Sequence, residues 1–105
     1  MLFYYYKFLN PIPNISNVKY MADKKLVGEI THFFNHINVA VIKLSGKLKD
    51  GEKILIEGAT TNLEQEAKSM QIDHKEVKEA KKGESVGLKV NDRVREGDKV
   101  FKIVD

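Results

Sequence analysis

A chain of 105 residues has room for one domain and excludes a two-domain reading. Hydrophobic residues at 42% and charged residues at 31% give the balance of a globular protein and exclude a wholly disordered one. There is no cysteine, which removes disulfide staples, thiolate metal sites and cysteine nucleophiles, and 18 basic against 15 acidic residues, a net +3, fall far short of a nucleic-acid-coating tail.

Residues 1–20 stand apart from the rest. They hold Phe3, Tyr4, Tyr5, Tyr6, Phe8 and Tyr20, both prolines (Pro11 and Pro13), two lysines and no acid. The apolar run from Leu2 to Leu9 is broken by Lys7 and closed by Asn10-Pro11, too short to cross a bilayer, and its flanks do not fit a signal peptide. Neither helical nor strand periodicity passes through it. Residues 1–21 are therefore expected to be a disordered or non-native extension, with Met21-Ala22-Asp23-Lys24 reading as a start of its own and 22–105 as the domain. From Met21 onward the chain carries 16 basic and 15 acidic residues, a net charge of +1.

Beyond Met21 the chain reads as short strands separated by glycine-bearing turns about a dozen residues apart, the spacing of a small all-β barrel or sandwich. The first strand is expected over Leu26–Phe34 and the second over Val39–Leu44, joined by a polar turn through Asn35, His36 and Asn38. After Lys49-Asp50-Gly51 comes Lys53–Glu57, with Ile54 and Ile56 facing inward. A fourth strand is expected over Glu66–Asp73, where Met70 and Ile72 alternate with polar residues, although Leu63, Ala67 and Met70 also fit a helical spacing. Lys82-Gly83 leads into Ser85–Val90, and Arg95-Glu96-Gly97-Asp98 into the closing strand Lys99–Val104. The expected core is Val27, Ile30, Ala40, Ile42, Leu44, Leu48, Ile54, Ile56, Met70, Ile72, Val77, Ala80, Val86, Leu88, Val90, Val100 and Ile103.

Three stretches carry a family resemblance: Ser69-Met70-Gln71-Ile72-Asp73, then Val77-Lys78-Glu79-Ala80-Lys81-Lys82-Gly83-Glu84-Ser85-Val86-Gly87-Leu88-Lys89-Val90, then Val94-Arg95-Glu96-Gly97-Asp98-Lys99-Val100. With Gly46-Lys47-Leu48-Lys49-Asp50-Gly51-Glu52-Lys53-Ile54 upstream, the region 25–104 resembles the second domain of translational GTPases such as elongation factor Tu. It also resembles the small stand-alone proteins named translation elongation factor-like and the barrel at the carboxyl end of some U32-family peptidases. The resemblance implies an all-β fold, a small six-stranded closed β-barrel of the translation-factor domain 2 type. It makes Gly46, Gly51, Gly83, Gly87 and Gly97 turn and close-approach positions. In elongation factor Tu the barrel holds the aminoacyl end of tRNA through an acid and an arginine. The corresponding positions here resemble Gln71 and Asn91, and both depart from that pattern.

No catalytic constellation stands in the sequence. The Gly-x-x-x-x-Gly-Lys-(Ser/Thr) phosphate loop is missing, as are the Gly-x-Ser-x-Gly elbow and the His-Glu-x-x-His pair, so neither an enzyme nor a GTP-binding protein is expected. His32 and His36 span a strand and its turn, and His74 lies on another element, so no metal or other cofactor is expected either. What remains is a surface. His32, Phe33, Phe34 and His36 form an aromatic cluster able to stack on bases or to seat a partner side chain. Arg93 and Arg95, the two arginines, carry planar forks suited to phosphates and carboxylates. With Gln71 and Asn91 these are the candidate RNA- or partner-binding residues. The expected function is a non-catalytic binding module, monomeric and cytoplasmic with no membrane role, that contacts RNA or the ribosome. The alternative is a protein-interaction module acting with a U32-type peptidase or another translation-associated protein.

Overall fold

The computed structural model describes residues 23–104, and every regular element among them is a β-strand. In chain order these are β1 (Asp23–Phe34), β2 (Val39–Leu44), β3 (Leu48–Lys49), β4 (Lys53–Glu57), β5 (Asn62–Glu66), β6 (Gln71–Ile72), β7 (Lys75–Glu76), β8 (Glu79–Ala80), β9 (Ser85–Lys89) and β10 (Lys99–Val104). Eight of them form one antiparallel sheet in the order β5-β4-β10-β1-β2-β9-β6-β7, and β3 pairs with β8 separately. The expected extension, residues 1–21, lies outside the described residues.

The twelve-residue β1 is the spine of the sheet, pairing with β10 on one side and β2 on the other. Two register shifts bend it, between Leu26 and Gly28 against β10 and between Ile30 and His32 against β2. Bulges of this kind raise local twist, which lets one long strand serve a strongly curved sheet. Gly28 makes the bend possible: a Cβ there would lie 2.6 Å from Ile42 Cγ2 and 2.8 Å from the Lys43 carbonyl oxygen.

One turn design recurs three times. In Lys49-Asp50-Gly51-Glu52, Lys81-Lys82-Gly83-Glu84 and Arg95-Glu96-Gly97-Asp98 the third residue is glycine with φ of 89°, 93° and 91°. In each, the fourth residue's N–H donates to the first residue's carbonyl. The fourth side chain then accepts the first residue's N–H, with Glu52 Oε1 at 2.8 Å, Glu84 Oε1 at 2.7 Å and Asp98 Oδ2 at 2.9 Å. A positive φ at the third position defines a type II turn, and the acid adds a charge-assisted bond that fixes the turn's entry. Of the other glycines read from the sequence as turn or close-approach positions, Gly46 and Gly87 have neither a positive φ nor crowding: a Cβ at Gly87 would meet only Val39 Cγ1 at 3.5 Å and the Gln71 carbonyl oxygen at 3.9 Å. The tight approaches fall instead at Gly28 and at Gly58, whose Cβ would run into the Asp98 carboxylate.

The core is aliphatic: Val27, Ile30, Ala40, Ile42, Leu44, Leu48, Ile54, Ile56, Met70, Ala80, Val86, Leu88, Val90 and Val100 are buried as expected. Leu55, Ala67 and Val94 join the buried set, while Ile72, Val77 and Ile103 are only half-buried. The fourth expected strand breaks in two. β5 ends at Glu66, the Ala67 N–H donates to the Glu52 carbonyl, Ser69 turns the chain with φ of 59°, and β6 starts at Gln71.

The closed six-stranded barrel does not hold: β5 and β7 end the ladder, so the sheet is open. The gap has a side-chain bridge. Gln65, on β5 and 8% exposed, donates from Nε2 to the Lys89 carbonyl at 2.9 Å and accepts the Asn91 N–H on Oε1 at 2.8 Å. A glutamine amide carries the donor and acceptor of a peptide group, so one side chain takes the place of a ladder rung where the strands form no backbone pair.

Candidate functional site

The end of β1, the turn that follows it and the loop between β9 and β10 meet at one end of the sheet. Four bonds place the loop: Val90 N–H to the Asn38 carbonyl at 2.8 Å, Gly97 N–H to the Ile30 carbonyl at 2.8 Å, Ile30 N–H to the Asp98 carbonyl at 2.8 Å, and Arg95 Nε to Thr60 Oγ1 at 2.9 Å. Val94 is buried and serves as the anchor, so Arg93 and Arg95 on either side of it are turned outward. The turn is equally fixed: Asn38 takes φ of 55°, a left-handed conformation that asparagine tolerates better than most residues, and the Ile37 N–H reaches the Phe34 carbonyl at 3.3 Å.

Two shallow hollows of about 430 and 330 Å³ open there, and Phe33, Asn35 and Arg93 line both. Val94, Arg95 and Glu96 complete the first, His36 and Asn38 the second. His32 stands beside them, its Nδ1 3.3 Å from Glu96 Oε2 and its ring edge-on to Phe34 with centroids 4.3 Å apart. Phe34 and Ile37 are 46% and 58% exposed, a considerable apolar area at a hairpin tip. The face therefore joins aromatic surface, side-chain amides and a guanidinium, an assembly that can hold an anionic group next to an apolar one. Among the described residues no three of His, Asp and Glu converge as a metal-ligand set.

Of the sequence candidates, this geometry brings together His32, Phe33, Phe34, His36, Arg93 and Arg95. It leaves out the other two. Asn91 lines a separate polar hollow over the Gln65 bridge with Glu66, Lys68, Ser69 and Lys89, and Gln71 is exposed on β6 opposite Gly87 of β9. The two positions that resemble the tRNA-contacting pair of elongation factor Tu thus do not line the aromatic and arginine face. Asn35, Asn38 and Glu96 belong to the face without being among the sequence candidates, and their sequence signal is place: the two asparagines lie in the turn after Phe33-Phe34 and Glu96 follows Arg95.

No family model matches the chain. In sequence it is 51% identical over 76 residues, 71% of its length, to an uncharacterized protease of Methanocaldococcus jannaschii. It is 31% identical over 81 residues to a collagenase of Porphyromonas gingivalis. Those stretches are 19% and 22% of the two proteins, so the chain spans about a fifth of the curated relatives it matches. In structure it matches the C-terminal domain of a U32 peptidase from Geobacillus thermoleovorans, with a TM-score of 0.72, 14% identity, and coverage of 76% of this chain and 93% of that one. The selenomethionine variant of the same domain gives a TM-score of 0.69. None of these relatives is a translation factor; what they support is the U32-peptidase part of the sequence resemblance. The chain has the fold of a U32-peptidase C-terminal domain and is about half identical to a stretch that makes up a fifth of a protease.

Proposed function

We propose that this chain is a non-catalytic protein-interaction module of the U32-peptidase type, one that binds a protein partner or substrate on behalf of a peptidase catalytic unit. The observation that carries the reading is the match to a peptidase C-terminal domain over 93% of that domain, joined to 51% identity with part of a protease. The surface chemistry supports it as well. Six of the fourteen described lysines are paired with carboxylates, among them Lys24 with Glu57 at 2.6 Å, Lys47 with Glu79 at 3.0 Å, Lys99 with Glu29 at 2.8 Å and Lys102 with Glu52 at 3.5 Å. Sequence-independent affinity for RNA comes from neutralising phosphates, and a region whose 16 basic residues are interspersed with 15 acids, for a net charge of +1, is a poor phosphate track.

The test is association in trans. The Methanocaldococcus protease, shortened by the 76-residue stretch this chain matches, is mixed with the purified chain and followed by sedimentation velocity, with transfer RNA and ribosomal RNA in parallel. A complex with the protease remainder, and none with RNA at physiological salt, is the expected result. Saturable RNA binding with no protease complex would replace this reading by the translation-related one.

A further inference from the structure

We infer that the end face built on Phe33 and Arg93 is a docking groove for an internal acidic segment of a partner protein, a stretch in which Asp or Glu alternates with apolar residues. The inference rests on the reading of the chain as a protein-interaction module and names the chemistry of the partner.

Arg93 carries the argument. Its side chain is exposed, lines both hollows and has no ion pair among the described residues, whereas Arg95 is held by Thr60 and His32 stands against Glu96. The Asp92 carboxylate accepts the Arg93 N–H at 2.7 Å, which fixes the backbone beneath the guanidinium. A guanidinium binds a carboxylate through two parallel hydrogen bonds. Phe33 supplies an apolar wall beside it, and the amides of Asn35 and Asn38 can donate to and accept from a peptide backbone crossing the groove. Exposed Phe34 and Ile37 extend the apolar surface along the hairpin tip.

Charge placement favours an acidic peptide over a nucleic acid. A phosphodiester chain repeats its charge at every nucleotide and calls for a row of cations. Here Asp92 precedes Arg93 in the loop and Glu96 lines the same hollow as Arg93 and Arg95, so the cations of the face are interspersed with carboxylates and do not form a row. Spaced carboxylates with apolar residues between them match that pattern. The hollows are shallow and shared along Phe33, which suits a chain passing through better than a buried terminus.

The experiment is an NMR titration of the isotopically labelled chain with an acetylated, C-terminally amidated hexapeptide of alternating Glu and Leu. Three controls accompany it: the same peptide with Gln for Glu, a neutral peptide with a free C-terminal carboxylate, and an oligouridylate. The expected result is saturable shifts confined to Phe33, Asn35, His36, Asn38 and the Arg93 side chain, with the Gln peptide weaker by about tenfold or more. Arg93→Gln should weaken the acidic peptide by a similar factor without moving the unfolding midpoint, and Arg93→Lys, which keeps the charge and loses the fork, should fall between. Equal binding of the Gln peptide, indifference to Arg93→Gln, shifts at another face, or binding of only the free-carboxylate peptide or the oligouridylate would each overturn the inference. Association with the protease remainder in the absence of any acidic-peptide response would sink this inference alone. Acidic-peptide binding at Arg93 without protease association would support it and remove the peptidase reading.

Discussion

Gln65 shows how much of this molecule depends on single side chains. Both ends of its amide are committed across the gap between β5 and the chain after β9, so Gln65→Ala would leave the Lys89 carbonyl and the Asn91 N–H without their partner. An unmade bond of this kind costs about 1–3 kcal/mol, which a lowered urea midpoint would report, and an unchanged midpoint would show that solvent replaces the amide at no cost. The glycines divide in the same concrete way. At Gly58 an added Cβ would lie 2.6 Å from the Asp98 carboxyl carbon, and Asp98, 5% exposed and bonded to the Arg95 N–H, cannot swing aside. Gly58→Ala should therefore cost about 1–3 kcal/mol by overpacking. Gly87→Ala, with 3.5 Å of clearance, should instead be neutral or stabilise by up to about 1 kcal/mol, because alanine loses less conformational freedom than glycine in a strand. Thermal melts of the two variants side by side would check both signs. A mid-strand glycine such as Gly87 reads as a point of close approach, but the crowding is between β4–β5 and β9–β10 loop residues 40 positions apart, Gly58 and Asp98, which no local pattern reveals.

At the scale of elements, legibility followed the strength of the alternation. β2, β4 and β10 have the bounds expected from their aliphatic periodicity, each being flanked by turn residues with a physical reason to turn. β5 was missed because Asn62-Leu63-Glu64-Gln65-Glu66 buries a glutamine where the pattern seeks an aliphatic residue. The two-residue ladders β3, β6, β7 and β8 are too short to have a period at all. The three glycine–acid turns make the strongest element-level prediction. At Gly83 φ is 93° and no atom stands within 4 Å of an added Cβ, so Gly83→Ala should cost about 1–2 kcal/mol through backbone strain alone, visible as a lower unfolding midpoint with an unchanged native spectrum. The β3–β8 pair makes a pH prediction. A hydrogen bond from Lys47, helped by its charge, holds the Glu79 carboxyl below its ordinary pKa. A depressed folded-state pKa means the contribution is present above the ordinary carboxylate range and is lost as pH falls through the lowered value. Carbon-detected NMR titration should give Glu79 a midpoint below that of a free glutamate, and Lys47→Met should raise it toward the ordinary range, Lys49 and Lys81 still favouring the charged form. Because both side chains are well exposed, added salt should shrink the effect.

The molecule as a whole is an open sheet wrapped far enough to bury a core of Val, Ile, Leu and Ala, with β1 passing through its middle and β5 and β7 at its edges. That arrangement orders local stability. β1 pairs with β10 through Asp23–Glu29 and with β2 through Gly28–Phe34, and β10 and β2 are each paired on their other side by β4 and β9, so opening the amides at this centre requires losing the core. β7 pairs only with β6 through two register positions, and β6 joins the sheet at the single position Gln71 opposite Gly87. Few buried contacts and few backbone bonds per residue place the β6–β7 hairpin at the low-stability end, where local opening exchanges amides without global unfolding. Native-state hydrogen exchange should therefore find the slowest amides around Ile30, Ile42 and Val100 and much faster exchange at Lys75 and Glu76. The Asn91 amide gives the sharper test, since it is held by a side chain and not by a strand: in Gln65→Ala its exchange should accelerate well beyond the shift common to all residues, while Ile42 should move only with global stability. Uniform acceleration at Asn91 and Ile42 alike would show that the seam opens only when the whole sheet does, and that the open ladder behaves in solution as one closed cooperative unit.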